Sequence, residues 1–223
     1  MLSESSEMYL QAVYRLTEKE RGVSISAIAR VLGHSLSTVS ERVSRLAAAG
    51  YLSHEWREGV SLTERGHRAA CRTLRKRRLI ETFLFQLADY GIHELYEEAC
   101  RLEHLISDRF ADALDRILGF PLHDPHGHPI PTQDGMIRTE PREALSETRE
   151  GNPVRIARLR TNNPDILSYA FLLGLVPGRI CTVIEKAPLQ GPVTVEIGSG
   201  RVAISLAIAS IIDVHADKEV QSA

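Results

Sequence analysis

The order of apolar and polar positions predicts three short helices in the first 50 residues. Residues 4–19 form the first, Ser24 caps a second that ends at Gly33, and Ser37 caps a third that Gly50 ends. Apolar residues recur at three- and four-residue intervals, which predicts one buried face for each helix. These are Met8, Ala12, Val13 and Leu16, then Ile25, Ile28, Ala29 and Leu32, then Val39, Val43, Leu46 and Ala47.

Two short apolar runs follow, at 51–54 and 60–62, and they flank the polar tip Arg57-Glu58-Gly59. They predict a β-hairpin, and helices followed by a hairpin predict a winged helix-turn-helix. The third helix would enter the DNA major groove, where Ser, Thr and Arg side chains can donate to phosphates or base edges. Glu41 would repel phosphates unless it accepts from cytosine or pairs with Arg45. We expect the DNA-binding residues to be Ser35, Ser37, Thr38, Ser40, Arg42 and Arg45.

The middle of the chain predicts a second helical unit. A long helix opens at Thr63-Glu64 and reaches about Ala88, with a basic first half and an apolar second half. Two more helices, near 92–107 and 109–118, complete an apolar unit suited to dimerisation, which would match a palindromic operator. The segment 119–141 contains five prolines and predicts a loop.

The last third predicts a small β-barrel-like domain. Four short apolar runs indicate strands at 154–159, 180–184, 193–197 and 201–204, with a helix at 164–174. The whole chain is therefore expected to be mainly α with a small β part. We divide it into a winged helix-turn-helix at 1–73, a helical domain at 74–145 and an SH3-like domain at 150–216.

Composition limits the class of protein. The chain has 223 residues and no apolar run near the roughly 20 residues of a membrane span. Its acidic, polar start is unlike a signal peptide, and three distant cysteines do not form a disulfide framework. These features favour the cytoplasm and no membrane partner.

The net charge of −2 conceals a strong asymmetry. Residues 21–78 carry twelve Lys or Arg and four Asp or Glu, a net of +8, which leaves −10 for the rest. Seven basic residues and no acidic one lie between Arg65 and Arg78. This pattern indicates a polyanion partner for the first part, and a solvated helix face is the alternative.

Candidate chemistry lies at Cys100, Glu103 and His104, which fall on one face of a helix at offsets of three and four. Sulfur, carboxylate and imidazole donors there could bind a transition metal. The alternative is a cysteine that faces the core beside a solvated Glu and His. A second group of possible ligands lies in the loop segment 123–128, and solvated surface histidines are the alternative there.

These features together resemble the diphtheria toxin repressor family of iron- and manganese-dependent regulators. The resemblance rests on Ser6-Glu7-Met8-Tyr9-Leu10, the winged helix, the segment 97–104 and the loop ending Gly127-His128-Pro129-Ile130-Pro131. The family implies a homodimer that binds Mn²⁺ or Fe²⁺, docks on double-stranded operator DNA and represses metal-uptake genes. It also implies an SH3-like C-terminal domain.

The resemblance implies two metal sites. The primary site of the iron-responsive branch matches Met8, Cys100, Glu103 and His104, whose soft sulfur ligands favour Fe²⁺; Met8 could instead belong to the core. The usual ancillary site is broken, because Arg77 and Tyr96 stand where the family has histidines. Another branch uses a glutamate and loop groups, and it matches Glu81, Asp124 and His126, with Asp165 as a further candidate ligand.

Two other classes of protein remain possible from the sequence. One is a metal-independent winged-helix regulator that senses a small molecule. The other is a metalloenzyme that activates water at an open metal site. We expect no enzyme and no small-molecule substrate, because no Ser-His-Asp order, HExxH motif or spare acid–base pair is evident.

Overall fold

A computed structural model of the chain describes residues 2–17, 22–55, 58–138 and 140–216. The chain divides into two compact units, which are described separately below. The first unit comprises Met1–Arg77, Leu102–Ala111 and Pro131–Ile137, and the second comprises Arg78–Arg101, Asp112–Ile130 and Arg138–Ala223.

The first unit contains the predicted winged helix-turn-helix. It consists of α1 (Glu4–Thr17), α2 (Ile25–Leu32), α3 (Leu36–Ala48), β1 (Leu52–Glu55) and β2 (Gly59–Leu62). The two strands pair antiparallel and form the wing. The predicted tip residue Arg57 and the predicted helical residues 18 and 19 lie outside the described residues.

The helix ends follow the capping residues closely, with one correction. Ser24 accepts a hydrogen bond from the Ala27 amide and caps α2, and Gly33 ends it in the left-handed region at φ +67°. The cap of α3 is Ser35 and not Ser37, because the Ser35 hydroxyl accepts from the Thr38 amide at 3.2 Å. Ser37 therefore lies in the first turn of the helix.

The core of this unit forms where α1, α2, α3 and the wing meet. The predicted inner faces of α2 and α3 are confirmed, and Leu16 of α1 also packs partly buried against the core, but the prediction for Met8 is wrong because it is 42% exposed. Adjacent positions turn inward instead, so the Met8 side chain is not core. The buried cluster contains Tyr9, Leu10, Val13, Val23, Ile28, Ala29, Val39, Val43, Leu46, Leu52, Val60 and Ala70.

Three further helices follow: α4 (Glu64–Leu87), α5 (Leu95–Leu102) and α6 (Asp108–Ile117). The predicted helix at 92–107 is too long, because the amides of residues 105 and 106 both bond the carbonyl of Leu102 and form a turn. Glu103 and His104 consequently lie in the turn just after α5 and not within a continuous helix.

The C-terminal part of the second unit is a six-stranded antiparallel sheet with strand order β3-β8-β4-β5-β6-β7. The four predicted strands and the helix are present, and Cys181 is buried as expected. Two additional strands and a short helix were not predicted. The elements are β3 (Glu143–Ala144), β4 (Pro153–Leu159), α7 (Pro164–Leu172), β5 (Ile180–Lys186), β6 (Val193–Ile197), β7 (Gly200–Ile204), α8 (Leu206–Ile211) and β8 (Ile212–Ala216).

Within the described ranges, none of the helices is long and apolar enough to cross a membrane.

Candidate metal centres and DNA-binding face

The outer face of α3 carries the residues expected to contact DNA. Arg42 is half-buried, whereas the other five are exposed. The Ser35 hydroxyl is within 2.9 Å of the Ser37 hydroxyl and 2.8 Å of the Thr38 hydroxyl, beside the positive end of the helix. Glu41 pairs with Arg45 one turn later, so its charge is partly neutralised. The exposed residues are Ser35, Ser37, Thr38, Ser40 and Arg45.

The basic run of α4 is not a DNA-binding surface along its whole length. Arg75, Arg77 and Arg78 are buried, and each contacts a carbonyl or a polar side chain of its own unit. Arg72 pairs with Asp108, and Lys76 lies 3.2 Å from the same carboxylate. Much of this run therefore has a structural role. For these residues, neither of the two explanations from the sequence, a polyanion-binding surface or a solvated helix face, is correct.

Glu103 and His104 are held by two residues of α1. The His104 Nδ1 atom donates to Glu7 Oε2 at 2.6 Å, and Gln11 Nε2 donates to Glu103 Oε1 at 3.0 Å. Met8 lies between these two residues in sequence and is partly exposed. A carboxylate on Nδ1 orients an imidazole so that Nε2 is available to a metal ion. Sequence reasoning missed Glu7 and Gln11, although both lie one helical turn from Met8 or closer.

Glu103 as a residue is 3% exposed, and its Oε2 atom has no hydrogen-bond partner within the described part of the chain. Burial raises the pKa of Glu103, while Arg77, Gln11 and His104 oppose that rise. The His104 Nε2 atom lies 3.3 Å from Glu103 Oε1. A buried carboxylate with one oxygen that lacks a donor, and with an imidazole nitrogen near its other oxygen, offers ligand types that suit a divalent cation. The remaining predicted ligand, Cys100, is half-buried on α5 in the second unit and stays a prediction.

A second group of possible ligands lies in the proline-rich loop. One ligand atom each from Asp124, His126 and His128 lies within 4.8 Å of the others. On α4 of the same unit, Glu81 Oε2 is 4.0 Å from His126 Nδ1. His128 was not predicted as a ligand, although the spacing of two residues from His126 to His128 was visible. Asp165 is exposed on α7, outside this group, and stays a prediction.

The backbone of the loop fixes this second group. Asp124 Oδ1 accepts from the amides of His126 and His128, both at 2.9 Å. The Leu159 amide of β4 donates to the His126 carbonyl at 3.0 Å. Gly127 has φ +86°, and a Cβ there would meet the Ala157 carbonyl oxygen at 1.9 Å. Only glycine therefore allows the loop to approach β4 this closely.

The pKa shifts of Asp124 and His126 favour the protonation states that bind a cation. Burial raises the pKa of Asp124, but His128, His126 and Arg78 outweigh it and hold that pKa well below its usual range. Burial lowers the pKa of His126, which favours the neutral imidazole that metals bind. Its Nε2 atom is buried with no hydrogen-bond partner among the described residues. Both observations fit a metal site.

The fold and the sites define a metal-dependent DNA-binding regulator. They combine a winged helix-turn-helix, a helical unit and two groups of side chains of the types that bind metal ions. Comparison with family models agrees along the chain. Residues 1–60 match the iron dependent repressor N-terminal DNA binding domain, 63–132 match the iron dependent repressor metal binding and dimerisation domain, and 144–216 match the FeoA domain.

Curated relatives cover most of the chain. The iron-dependent repressor IdeR of Mycobacterium tuberculosis is 33% identical over 211 residues, which is 88% of this chain and 90% of that protein. The diphtheria toxin repressor of Corynebacterium efficiens is 34% identical over 166 residues, 72% of each chain.

Solved structures show the same fold. A manganese-dependent transcriptional repressor in complex with manganese superposes with a TM-score of 0.87 at 34% identity, covering 95% of this chain and all of that one. The structure of ScaR with bound Cd²⁺ gives a TM-score of 0.81 at 29% identity, and the match covers 95% of this chain and 99% of ScaR.

The chain belongs to the iron-dependent repressor family, which includes the diphtheria toxin repressor. It is a metal-dependent transcriptional regulator whose partners are operator DNA and a second copy of itself, and its cofactor is a divalent transition metal, Mn²⁺ or Fe²⁺. Members of this family are transcriptional repressors. The SH3-like C-terminal domain is likewise confirmed.

Proposed function

We propose that this chain represses metal-uptake genes when its metal sites are loaded. The primary site would consist of Met8, Cys100, Glu103 and His104. The ancillary site would consist of Glu81, Asp124 and His126, with His128 and Asp165 as further candidates. We infer that the chain acts by binding and not by catalysis, in the cytoplasm where chromosomal DNA lies.

The observation that carries the proposal is the contact of Glu103 and His104 with α1. Gln11 and Glu7, on the first helix of the DNA-binding module, already hold these two proposed ligands. Met8 lies on the same helix between Glu7 and Gln11, and its side chain is partly exposed. Ligation by Met8, Glu103 and His104 together would therefore fix α1, and with it the module that reads DNA.

We propose that activation is a shift of population. A bound divalent ion supplies a positive charge that several ligands share. The metal-free chain samples several placements of the DNA-binding module, and ligation selects the one that suits the operator. Changing a 1:99 ratio to 99:1 requires about 5.5 kcal/mol of differential binding, which is within the range of a multi-ligand metal site.

The nature of the ligands favours one metal over the other. Met8 and Cys100 offer soft sulfur donors, which suit Fe²⁺ better than Mn²⁺. The superposable relatives include a repressor described as manganese-dependent, so both metals belong in the test. We expect Fe²⁺ to bind more tightly at the primary site.

The test is fluorescence anisotropy of labelled promoter DNA from metal-transporter genes, with Mn²⁺ or anaerobic Fe²⁺ titrated into chelated protein. We expect metal to tighten DNA binding by about tenfold to about 150-fold, in line with typical coupling energies. Glu103→Gln should abolish this dependence because it removes a proposed ligand charge. Glu97→Gln is the matched control, since Glu97 is an exposed glutamate of α5.

Tight DNA binding that chelator leaves unchanged would contradict the proposal and favour a metal-independent regulator. Metal-dependent binding by the Glu103→Gln variant would remove Glu103 from the primary site. Turnover of a substrate on metal addition would contradict the inference that the chain acts by binding alone.

A further inference from the structure

The Gln11 amide bridges a buried arginine and the proposed ligand Glu103. Its Oε1 atom accepts from Arg77 Nη1 at 2.7 Å, and its Nε2 atom donates to Glu103 Oε1 at 3.0 Å. All three side chains are buried within the first unit. A guanidinium only donates and a carboxylate only accepts, so only this orientation of the amide satisfies both neighbours.

Arg77 also acts on the other oxygen of Glu103 through its charge. Its Nε atom lies 3.8 Å from Glu103 Oε2, an ion-pair distance that is too long for a hydrogen bond. Among the residues that the structure describes, none donates a hydrogen bond to Oε2, whereas Oε1 accepts one from Gln11. The carboxylate is thus fixed at one oxygen and open at the other, with a permanent positive charge beside it.

We propose that Arg77 is a positioning residue that holds Glu103 ready through Gln11 and raises the metal concentration at which the primary site loads. Its positively charged guanidinium also occupies the place beside Glu103 where a second cation would bind, so the primary site binds a single divalent ion. The inference rests on the primary site proposed above and adds to it a residue that sets affinity and stoichiometry.

The physical reason is repulsion between two cations that share one carboxylate. Arginine does not lose its proton in proteins, so its charge persists when a metal ion arrives. Unit charges a few ångströms apart in a partly buried site interact strongly enough to change affinity by about ten- to a hundredfold. Removal of the charge should therefore tighten metal binding, whereas loss of a merely structural residue should weaken it or leave it unchanged.

The experiment uses the full chain carrying His126→Ala, which disables the loop group so that only the primary site is measured. Mn²⁺ affinity is determined by competition with a chelating dye, and the unfolding temperature of the metal-free protein is recorded in parallel. We expect Arg77→Gln to bind Mn²⁺ about ten- to a hundredfold more tightly and to unfold at a lower temperature. Arg77→Lys keeps the charge and should retain nearly the original affinity.

The matched control is Arg75→Gln. Arg75 is a buried arginine of the same helix, and it contacts the Pro131 carbonyl. This variant should lose stability without any change in Mn²⁺ affinity. An Arg77→Gln protein with unchanged or weaker Mn²⁺ binding, or an Arg77→Lys protein that matches Arg77→Gln, overturns the inference.

Stoichiometry tests the single-ion part of the inference even when Arg77→Gln does not fold. Electron paramagnetic resonance of Mn²⁺ with the His126→Ala chain should show one ion per chain, and two ions per chain would overturn the inference. No bound ion would contradict the proposed primary site as well. One ion with an affinity indifferent to Arg77 would contradict this inference alone.

Discussion

The three cysteines differ in how far water reaches their sulfur atoms. Cys71 and Cys181 are buried, Cys100 is half-buried, and none of the three forms a disulfide. Burial raises the pKa of Cys181 to about 11, so its thiolate is scarce at neutral pH. Since the thiolate is both the nucleophile and the metal ligand, only Cys100 combines access with the chemistry that the primary site needs.

Native alkylation tests this difference. With iodoacetamide at pH 8, we expect one thiol per chain to react quickly, and peptide mass spectrometry should locate it at Cys100. Saturating Mn²⁺ or Fe²⁺ should slow the reaction several-fold, because a ligating sulfur is no longer a free nucleophile. Equal labelling of Cys181 would contradict the buried-strand assignment, and lack of metal protection would remove Cys100 from the ligand set.

The buried imidazole of His126 should make the metal-free protein sensitive to acid. Burial lowers the pKa of His126 below that of the unfolded chain, so only the unfolded state takes up its proton as the pH falls below about 6.5. The contribution of His126 to the free energy of unfolding is therefore complete above that pH. It decreases as the pH falls towards the lower pKa that His126 has in the folded state. Thermal unfolding between pH 7.5 and 5 should show this loss.

The matched comparison is His126→Gln, which cannot titrate. Its unfolding temperature should fall less steeply over the same pH range. Burial is also the main cause of the lowered pKa of His123, which is therefore a second acid-sensitive group. The substitution at position 126 should for this reason remove only part of the pH dependence of the unfolding temperature. Identical slopes for the two proteins would rule out His126 as a source of the acid sensitivity.

At the scale of single elements, α3 offers its hydroxyl groups and Arg45 to the operator. Arg45→Ala should weaken operator binding by about 1–3 kcal/mol if Arg45 contacts a base, and should also lower the salt dependence if it contacts a phosphate. Arg201→Ala is the control, since this arginine of β7 is exposed and pairs with Glu196 outside the DNA-binding module. Unaltered affinity at several salt concentrations would exclude Arg45 from the interface.

Hydrophobic periodicity predicted the helices and the wing well, because each helix of the module buries a single face. It was wrong at one position of α1, where Tyr9 and Leu10 are buried and Met8 is not. Spacing alone cannot distinguish a partly exposed Met from a core Met, since both suit an apolar stripe. The family resemblance singled out Met8 as a ligand, and its exposure agrees with that reading.

The missed elements at the C-terminus have a related cause. The run Leu206–Ile211 is short and almost wholly apolar, so its sequence shows neither a helical nor a strand period. The strand that follows pairs with β4, far away in the sequence, and local patterns cannot reveal such a partner. For the same reason, the sequence did not predict the burial of Arg75, Arg77 and Arg78. Their hydrogen-bond acceptors lie 51 to 66 residues away in the sequence and come close only in the folded chain.

At the scale of the whole molecule, the two proposed metal sites depend on different structural supports. Glu103 and His104 are held by α1 in the first unit. The loop group of Asp124, His126 and His128 lies in the second unit, where a backbone hydrogen bond joins it to β4 of the SH3-like domain. A change that separates the loop from β4 should therefore impair one site and spare the other.

Gly127→Ala is the variant that tests this separation. The new Cβ would meet the Ala157 carbonyl oxygen at 1.9 Å, and the positive φ is itself unfavourable for alanine. We expect the loop to move away from β4 and its ligands to disperse. Mn²⁺ stoichiometry by equilibrium dialysis should then fall by one ion per chain, while operator binding survives at a higher metal concentration.

Gly119→Ala separates the two causes of damage. Gly119 has a similar φ of +73°, but a Cβ there would meet no atom of the described residues within 4 Å. This control should therefore show only the backbone strain, about 1–2 kcal/mol of stability, and should keep every bound ion. Retention of all ions by Gly127→Ala, or the loss of an ion by Gly119→Ala as well, would show that close contact with β4 is not what maintains the loop site. The contrast between two glycines with a similar positive φ thus measures how much the contact with β4 of the SH3-like domain contributes to metal binding.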